Sequence, residues 1–215
     1  MSKLISFLLL FATSIYMSSV MANSLDNSIH ELQQQWAVAN YETPENKQDE
    51  VFDQLTAKAE SVVKAYPEDA EPLVWEAIII SSHAGATGGF GALGKAKKAK
   101  KLLEQAEKIN PDALQGSIYT SLGSLYYNVP GWPIAFGNDE KAEALLKKAL
   151  TMNPDGIDPN YFYGNFLLDQ GRYSESMDYL QKALNAPPRP NRPLADKGRK
   201  IEIKRALQTV KEKIG

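Results

Sequence analysis

The stretch YGNFLLDQGRYSESMDYLQKALNAPP, residues 163–188, decides how the rest of the chain is read. Within it Ser176, Leu180, Ala183 and Pro188 follow one another at steps of 4, 3 and 5 residues. The same steps recur at Ala99, Leu103, Ala106 and Pro111, and again at Ala142, Leu146, Ala149 and Pro154. Steps of 4 and 3 place small and apolar residues on one helical face. The proline then ends each helix and starts the turn to the next. Leu122-Gly123 and Tyr126 precede the second copy, while Tyr163-Gly164 and the turn Gln170-Gly171-Arg172-Tyr173 precede the third. Glycine on one helix and alanine on the facing one let a hairpin close tightly, and leucine fills the space between successive hairpins.

Three copies with the same offsets resemble the tetratricopeptide repeat. The resemblance implies an all-α, tetratricopeptide-type solenoid of helical hairpins, whose business is binding rather than catalysis. The proline-to-proline distances are 44 (Pro67 to Pro111), 43 (Pro111 to Pro154) and 34 residues (Pro154 to Pro188). Only the last equals the standard unit of roughly 34 residues. The surplus falls between the helices of each hairpin, at Gly85–Gly91 in the first and Asn128–Gly137 in the second. Two loop insertions are therefore expected along one edge of the stack, where binding residues collect.

The ends complete a solenoid of about nine helices. Ile29, Leu32 and Trp36, then Val51, Phe52, Leu55, Ala59 and Val62, make residues 23–67 a degenerate N-terminal helix pair. Residues 68–190 hold the three repeats. After the stiff connector Pro187, Pro188, Pro190 and Pro193, residues 191–215 read as a C-terminal capping helix on Ile203, Leu207, Val210 and Ile214.

Ahead of this lie Lys3, an apolar run from Leu4 to Met17, and Val20 and Ala22 at the −3 and −1 positions of a signal-peptidase site. Residues 1–22 are read as a signal peptide cut between Ala22 and Asn23. As a helix, 14 residues would span only about 21 Å, against about 30 Å of bilayer core, which disfavours an uncleaved anchor. No cysteine follows the run, so a bacterial lipid anchor is excluded. The expectation is a periplasmic protein with no membrane insertion after signal cleavage.

Composition excludes much chemistry. Of 215 residues, 24 are Lys or Arg and 26 Asp or Glu, a net charge of -2, which argues against nucleic acid as a partner. There is no cysteine and only two histidines, His30 and His83, so neither a metal centre nor a catalytic triad is expected. No nucleophile, base and orienter assemble in the sequence, so the chain reads as a non-enzyme without cofactors.

Gly89-Phe90-Gly91-Ala92-Leu93-Gly94-Lys95 formally matches phosphate-binding strings. Position 96 is alanine where a P-loop needs a hydroxyl, and no alternating strands surround the motif. A nucleotide-linked enzyme is thus the least favoured alternative. Lys95, Lys97, Lys98, Lys100 and Lys101 read as the solvated face of a helix rather than an anion patch. Trp132, between Gly131 and Pro133, either plugs its own hairpin or stacks on a ligand, with plugging favoured. His83 is read first as a hydrogen-bonded structural residue. If the first helix of each hairpin lines the inner groove, Ser124, Tyr127, Asn128, Tyr161, Asn165 and Asp169 face it, with Ser81 and Ser82 less firmly placed. The residues put forward for ligand or partner contact are His83, Phe90, Tyr127, Asn128, Trp132, Phe136, Tyr161 and Asn165.

A narrower resemblance spans Leu122 to Leu150, with Tyr126-Tyr127, Pro130-Gly131-Trp132-Pro133 and Asp139-Glu140-Lys141-Ala142. It is similar to the periplasmic T-components of TRAP transporters, which implies association with a transporter's substrate-binding protein and a ligand cavity. The reading that emerges is an exported binding or adaptor protein for another envelope protein or a small polar ligand. The rival is a structural scaffold for envelope assembly with no pocket.

Overall fold

The computed structural model describes residues 24–215; the segment read as a signal peptide, with its cut, lies outside them. Nine α-helices run through the described residues. They are α1 (24–41), α2 (Glu45–Ala65), α3 (Ala70–Thr87), α4 (Gly89–Ile109), α5 (Ser117–Asn128), α6 (Asp139–Met152), α7 (Ile157–Asp169), α8 (Tyr173–Leu184) and α9 (Pro193–Ile214). Successive helices pair as antiparallel hairpins and stack into a tetratricopeptide-type solenoid.

The repeated positions are its seams. Leu103, Leu146 and Leu180 are each 0% exposed, as are Ala99, Ala106, Ala142, Ala149, Ser176 and Ala183. Burying one leucine contributes about 1.5–3 kcal/mol, so these seams dominate the cohesion of the stack. The glycines work as the pattern requires. A Cβ at Gly123 would come within 2.6 Å of Leu146 Cγ, and one at Gly164 within 2.8 Å of Leu180 Cγ. Ser176 stands where the other copies have alanine, and its hydroxyl donates to the Gly164 carbonyl at 2.8 Å. That satisfies a buried polar group at the tightest point of the hairpin.

The first surplus is not a loop. Gly88 alone separates α3 from α4, at φ +63°, and the extra residues lengthen both helices into a projecting hairpin tip. Alanines and a short run of glycines continue the α-helix where a loop was expected. The glycine string therefore opens a helix that follows another helix, not a strand. The arrangement that cradles a phosphate is not built there. The lysines beyond it face solvent or pair: Lys98 meets Glu76 at 3.0 Å and Lys100 meets Glu104 at 2.6 Å.

The second surplus is a loop, residues 129–138, between α5 and α6. Helix α9 does more than cap. Ile203, Leu207 and Val210 pack on Leu180 and Ala183 of the last hairpin, as expected of a cap. Its first turns also cross the concave face to the other end of the solenoid. Ala195 joins the cluster of Trp36, Ala39 and Trp75, and Gly198 lies flat against the Tyr41 ring. No helix among the described residues is long and apolar enough to cross a membrane.

Candidate functional site

Two features stand out from the stacked core: the tip of the 129–138 loop, and the space that α9 borders.

The loop is braced at its base. Gly137 N–H donates to Pro130 O at 2.9 Å, and Asn138 N–H donates to Tyr126 O at 2.8 Å. Asn138 Oδ1 then caps α6 by accepting from Lys141 N at 2.7 Å. A side chain at Gly137 would collide with the Val129 carbonyl, so the turn requires glycine there. Phe136 points inward, edge-on to Tyr126 at 5.4 Å, with Lys100 Nζ 5.6 Å above its ring. Trp132 and Ile134 point outward, 89% and 68% exposed. The expected plug does not exist: Phe136 fills that role and leaves Trp132 free. Two large apolar side chains thus stand exposed at the tip of a braced loop.

The second is a half-open cavity of about 730 Å³ between the concave face and the connector to α9. Its walls come from α1 (Trp36), α3 (Trp75, Ile78, Ser81, Ser82), α5 (Ser117, Ser121, Ser124) and the start of α7 (Asp158, Phe162). The connector and α9 add Pro188, Arg192, Arg199 and Glu202. One wall is conformationally unusual: Leu114, Gln115 and Gly116 take φ of 52°, 50° and 85° in succession. Left-handed backbone at two non-glycine residues costs energy, and such strain gathers at functional sites.

An ion network fastens the connector and α9 in place. Asp158 Oδ2 accepts from Arg189 Nη1 at 2.6 Å and its Oδ1 from Arg199 Nε at 2.9 Å. Arg189 also reaches Asp196 at 2.7 Å, and Arg199 reaches Glu202 at 2.5 Å. Glu202 accepts from the Tyr41 hydroxyl at 3.3 Å. Burial pushes the Asp158 carboxyl upward, but Arg199, Arg189 and Arg192 outweigh it and hold the group well below the usual carboxylate range. Arg192 is the exception in this network. It stacks 5.0 Å from the Trp75 ring, forms no ion pair among the described residues, and its Nε has no acceptor. Burial first, then the charge of Arg189, pushes its guanidinium down to about 10. Trp75 Nε1 is likewise buried without a partner, while Trp36 Nε1 donates to Ser82 Oγ at 2.8 Å. Each unmade buried hydrogen bond costs about 1–3 kcal/mol.

The residues put forward from sequence are scattered. His83 is buried; its Nε2 lies 2.8 Å from Asp49 Oδ1 and its ring stacks on Phe52, a tie between α2 and α3. Tyr127 is half-buried on Phe166, and burial pushes its phenol up to about 12. Asn128 is exposed and bonds back to Ser124 O at 2.9 Å. Tyr161 lies under the Arg199 guanidinium at 4.4 Å, with Asn165 beside its hydroxyl. The side chain of Phe90 is outside what the structure describes. None of the other seven lines the cavity, whereas Ser81, Ser82 and Ser124 do. The groove register was sound at those serines. Further along α7 it was overridden because α9 occupies the concave face and Arg199 covers Tyr161. Sequence reasoning did not single out Trp75, Arg192 or Asp158, because Arg189 of the connector meets Asp158 from 31 positions away, a pairing that no local pattern carries.

Comparison with known proteins places residues 134–195 within the match of the tetratricopeptide repeat family model. A thermophilic TPR protein of Thermus thermophilus has a similar fold at 20% identity, over 86% of this chain and 99% of that one, with a TM-score of 0.47. A crystal structure of MamA is similar at 18% identity, over 78% and 92% of the two chains, with a TM-score of 0.44. No curated protein matches the chain.

Proposed function

We propose that this chain is an adaptor that binds another protein through the outward face of the 129–138 loop. The observation that carries the reading is the pairing of Phe136, anchored on Tyr126, with Trp132 and Ile134, presented to solvent from the same braced turn. Tryptophan on a pre-organised surface is the residue type that anchors protein interfaces at least entropic cost. The repeat match over residues 134–195 supports a binding scaffold rather than an enzyme.

In its full form the reading is an exported adaptor for an envelope protein. The charge and apolar pattern of residues 1–22 supports export to the periplasm. The resemblance of Leu122–Leu150 to transporter T-components supports a role beside a TRAP-type transporter. The test is co-purification from envelope fractions after mild cross-linking. A partner retained by the native chain and lost with Trp132→Ala supports the adaptor. Equal recovery by both chains refutes the loop as the contact.

A further inference from the structure

Helix α9 carries a face whose charge the fold does not balance. Seven Lys or Arg stand on it against three Asp or Glu, while the rest of the chain carries seventeen against twenty-three. Among the described residues the ion pairs of α9 involve only Asp196, Arg199 and Glu202. Lys197, Lys200, Lys204, Arg205, Lys211 and Lys213 are left without one. Four of these form a row. Lys197, Lys200, Lys204 and Lys211 follow at steps of 3, 4 and 7 residues, which in an α-helix places them within about 60° of one another. The row is about 21 Å long at 1.5 Å per residue. Lys197, Lys204 and Lys211 are exposed, Lys200 partly so, and Ile201 stands beside them 45% exposed.

An ordinary solvated face interleaves the two signs. Helix α4 does so, with Lys98 paired to Glu60 and Glu76 and Lys100 to Glu104. On α9 the one acid three or four positions from a lysine of the row is Asp196, which is buried against Arg189. Lys197 and Lys200, and then Lys200 and Lys204, are therefore like-charge neighbours, an arrangement that costs the folded chain stability. A polyanion laid along the row removes that repulsion.

We infer that this face of α9 adsorbs to an anionic lipid surface by electrostatic contact, without insertion. The chemistry of the row favours a membrane over an acidic protein. All four cations are lysines, point charges on flexible stems that suit a fluid array of headgroups, whereas the arginine fork suits fixed carboxylates. The apolar side of the helix, Ile203, Leu207 and Val210, is already packed on the last hairpin, which leaves the lysines as a firm, straight edge for a flat surface. The acidic excess of the remaining chain turns other faces away, so α9 sets the orientation. Each lysine brought to such a surface strengthens binding about fivefold.

The test is co-sedimentation of the purified chain with vesicles of phosphatidylcholine alone and of equal parts phosphatidylcholine and phosphatidylglycerol. The apolar N-terminal run, where retained, acts on both vesicles alike, so the ratio between them reads the lysine row. The expected result is a preference for the phosphatidylglycerol vesicles that ~1 M salt removes, because screening then acts within about 3 Å. Lys204→Gln with Lys211→Gln, both at exposed positions, should weaken that preference about 25-fold at an unchanged melting temperature. Lys97→Gln with Lys101→Gln removes the same charge from exposed positions of α4 and should leave the preference intact. Trp132→Ala should leave it intact as well, which separates this face from the loop contact. Equal binding to both vesicles, a preference that survives Lys204→Gln with Lys211→Gln, or one lost equally in the α4 pair or in Trp132→Ala would each overturn the assignment. So would binding of polyglutamate without binding of the mixed vesicles, which would give the face to an acidic protein.

Discussion

Arg199 of α9 donates its Nε to Oδ1 of Asp158 at the start of α7, 2.9 Å away and 41 positions back along the chain. The bond fastens α9 to the start of α7 beside a groove that stays half open. Asp158 simultaneously accepts from Arg189 of the connector, so one half-buried carboxylate fastens both the strap and the helix that follows it. Asp158→Asn leaves two guanidinium groups facing a neutral amide, and breaking such a shared pair costs about 3 kcal/mol. Urea unfolding should show that loss, and amide exchange should rise first in α9, whose docking depends on the pair.

Acid should act through the same bond. Asp158 and Glu143 are both held below their ordinary values of 3.8 and 4.5 in the folded chain, Glu143 at about 2 by hydrogen bonds from Lys147, Arg172 and Tyr163. A depressed carboxylate contributes stability that is complete above its unfolded pKa and is lost as pH falls toward the folded one. The melting temperature should therefore be flat from pH 7 to 5 and fall steeply below about pH 4.5. The double variant Asp158→Asn, Glu143→Gln should show a shallower fall from a lower plateau.

The repeats were legible because their determinants are local. Leu103, Leu146 and Leu180 sit at fixed steps from small residues, and each is fully buried where the pattern puts it. The contacts of α9 were not legible. Gly198 against Tyr41 and Ala195 against Trp36 join residues far apart in sequence, and no periodicity encodes such a meeting. For the same reason the groove-facing set failed at Tyr161, which Arg199 covers, and held at Ser124. The glycine-rich segment at 85–91 misled in the other direction. Glycine permits a loop without requiring one, and only Gly88 and Gly89, at φ +63° and +60°, use that freedom there.

The hairpin glycines give a sharper test of packing. At Gly123 an added methyl group meets Leu146 Cγ at 2.6 Å and the Ala142 carbonyl at 3.2 Å, so the helices must separate. Gly123→Ala should destabilise by about 1–3 kcal/mol, with alanine's helix preference recovering at most ~1 kcal/mol of it. Gly94→Ala, where no atom lies within 4 Å of the added group, should be neutral or slightly stabilising by thermal melting.

Trp132 should be dispensable for folding. Its side chain is 89% exposed and Phe136 holds the loop, so Trp132→Ala should change unfolding free energy by less than about 0.5 kcal/mol. Phe136→Ala, which removes the anchor on Tyr126, should cost about 1–3 kcal/mol and loosen the loop together with its tip.

The adaptor reading is tested most directly by a photo-cross-linking amino acid placed at position 132 of the chain expressed in its own cell, with the exposed position 213 as control. Illumination should join position 132, and not position 213, to one discrete protein species, with the yield reduced when Ile134 is changed to serine. Cross-linking to no protein, or the same diffuse products from both positions, would contradict the assignment of this loop as the partner contact.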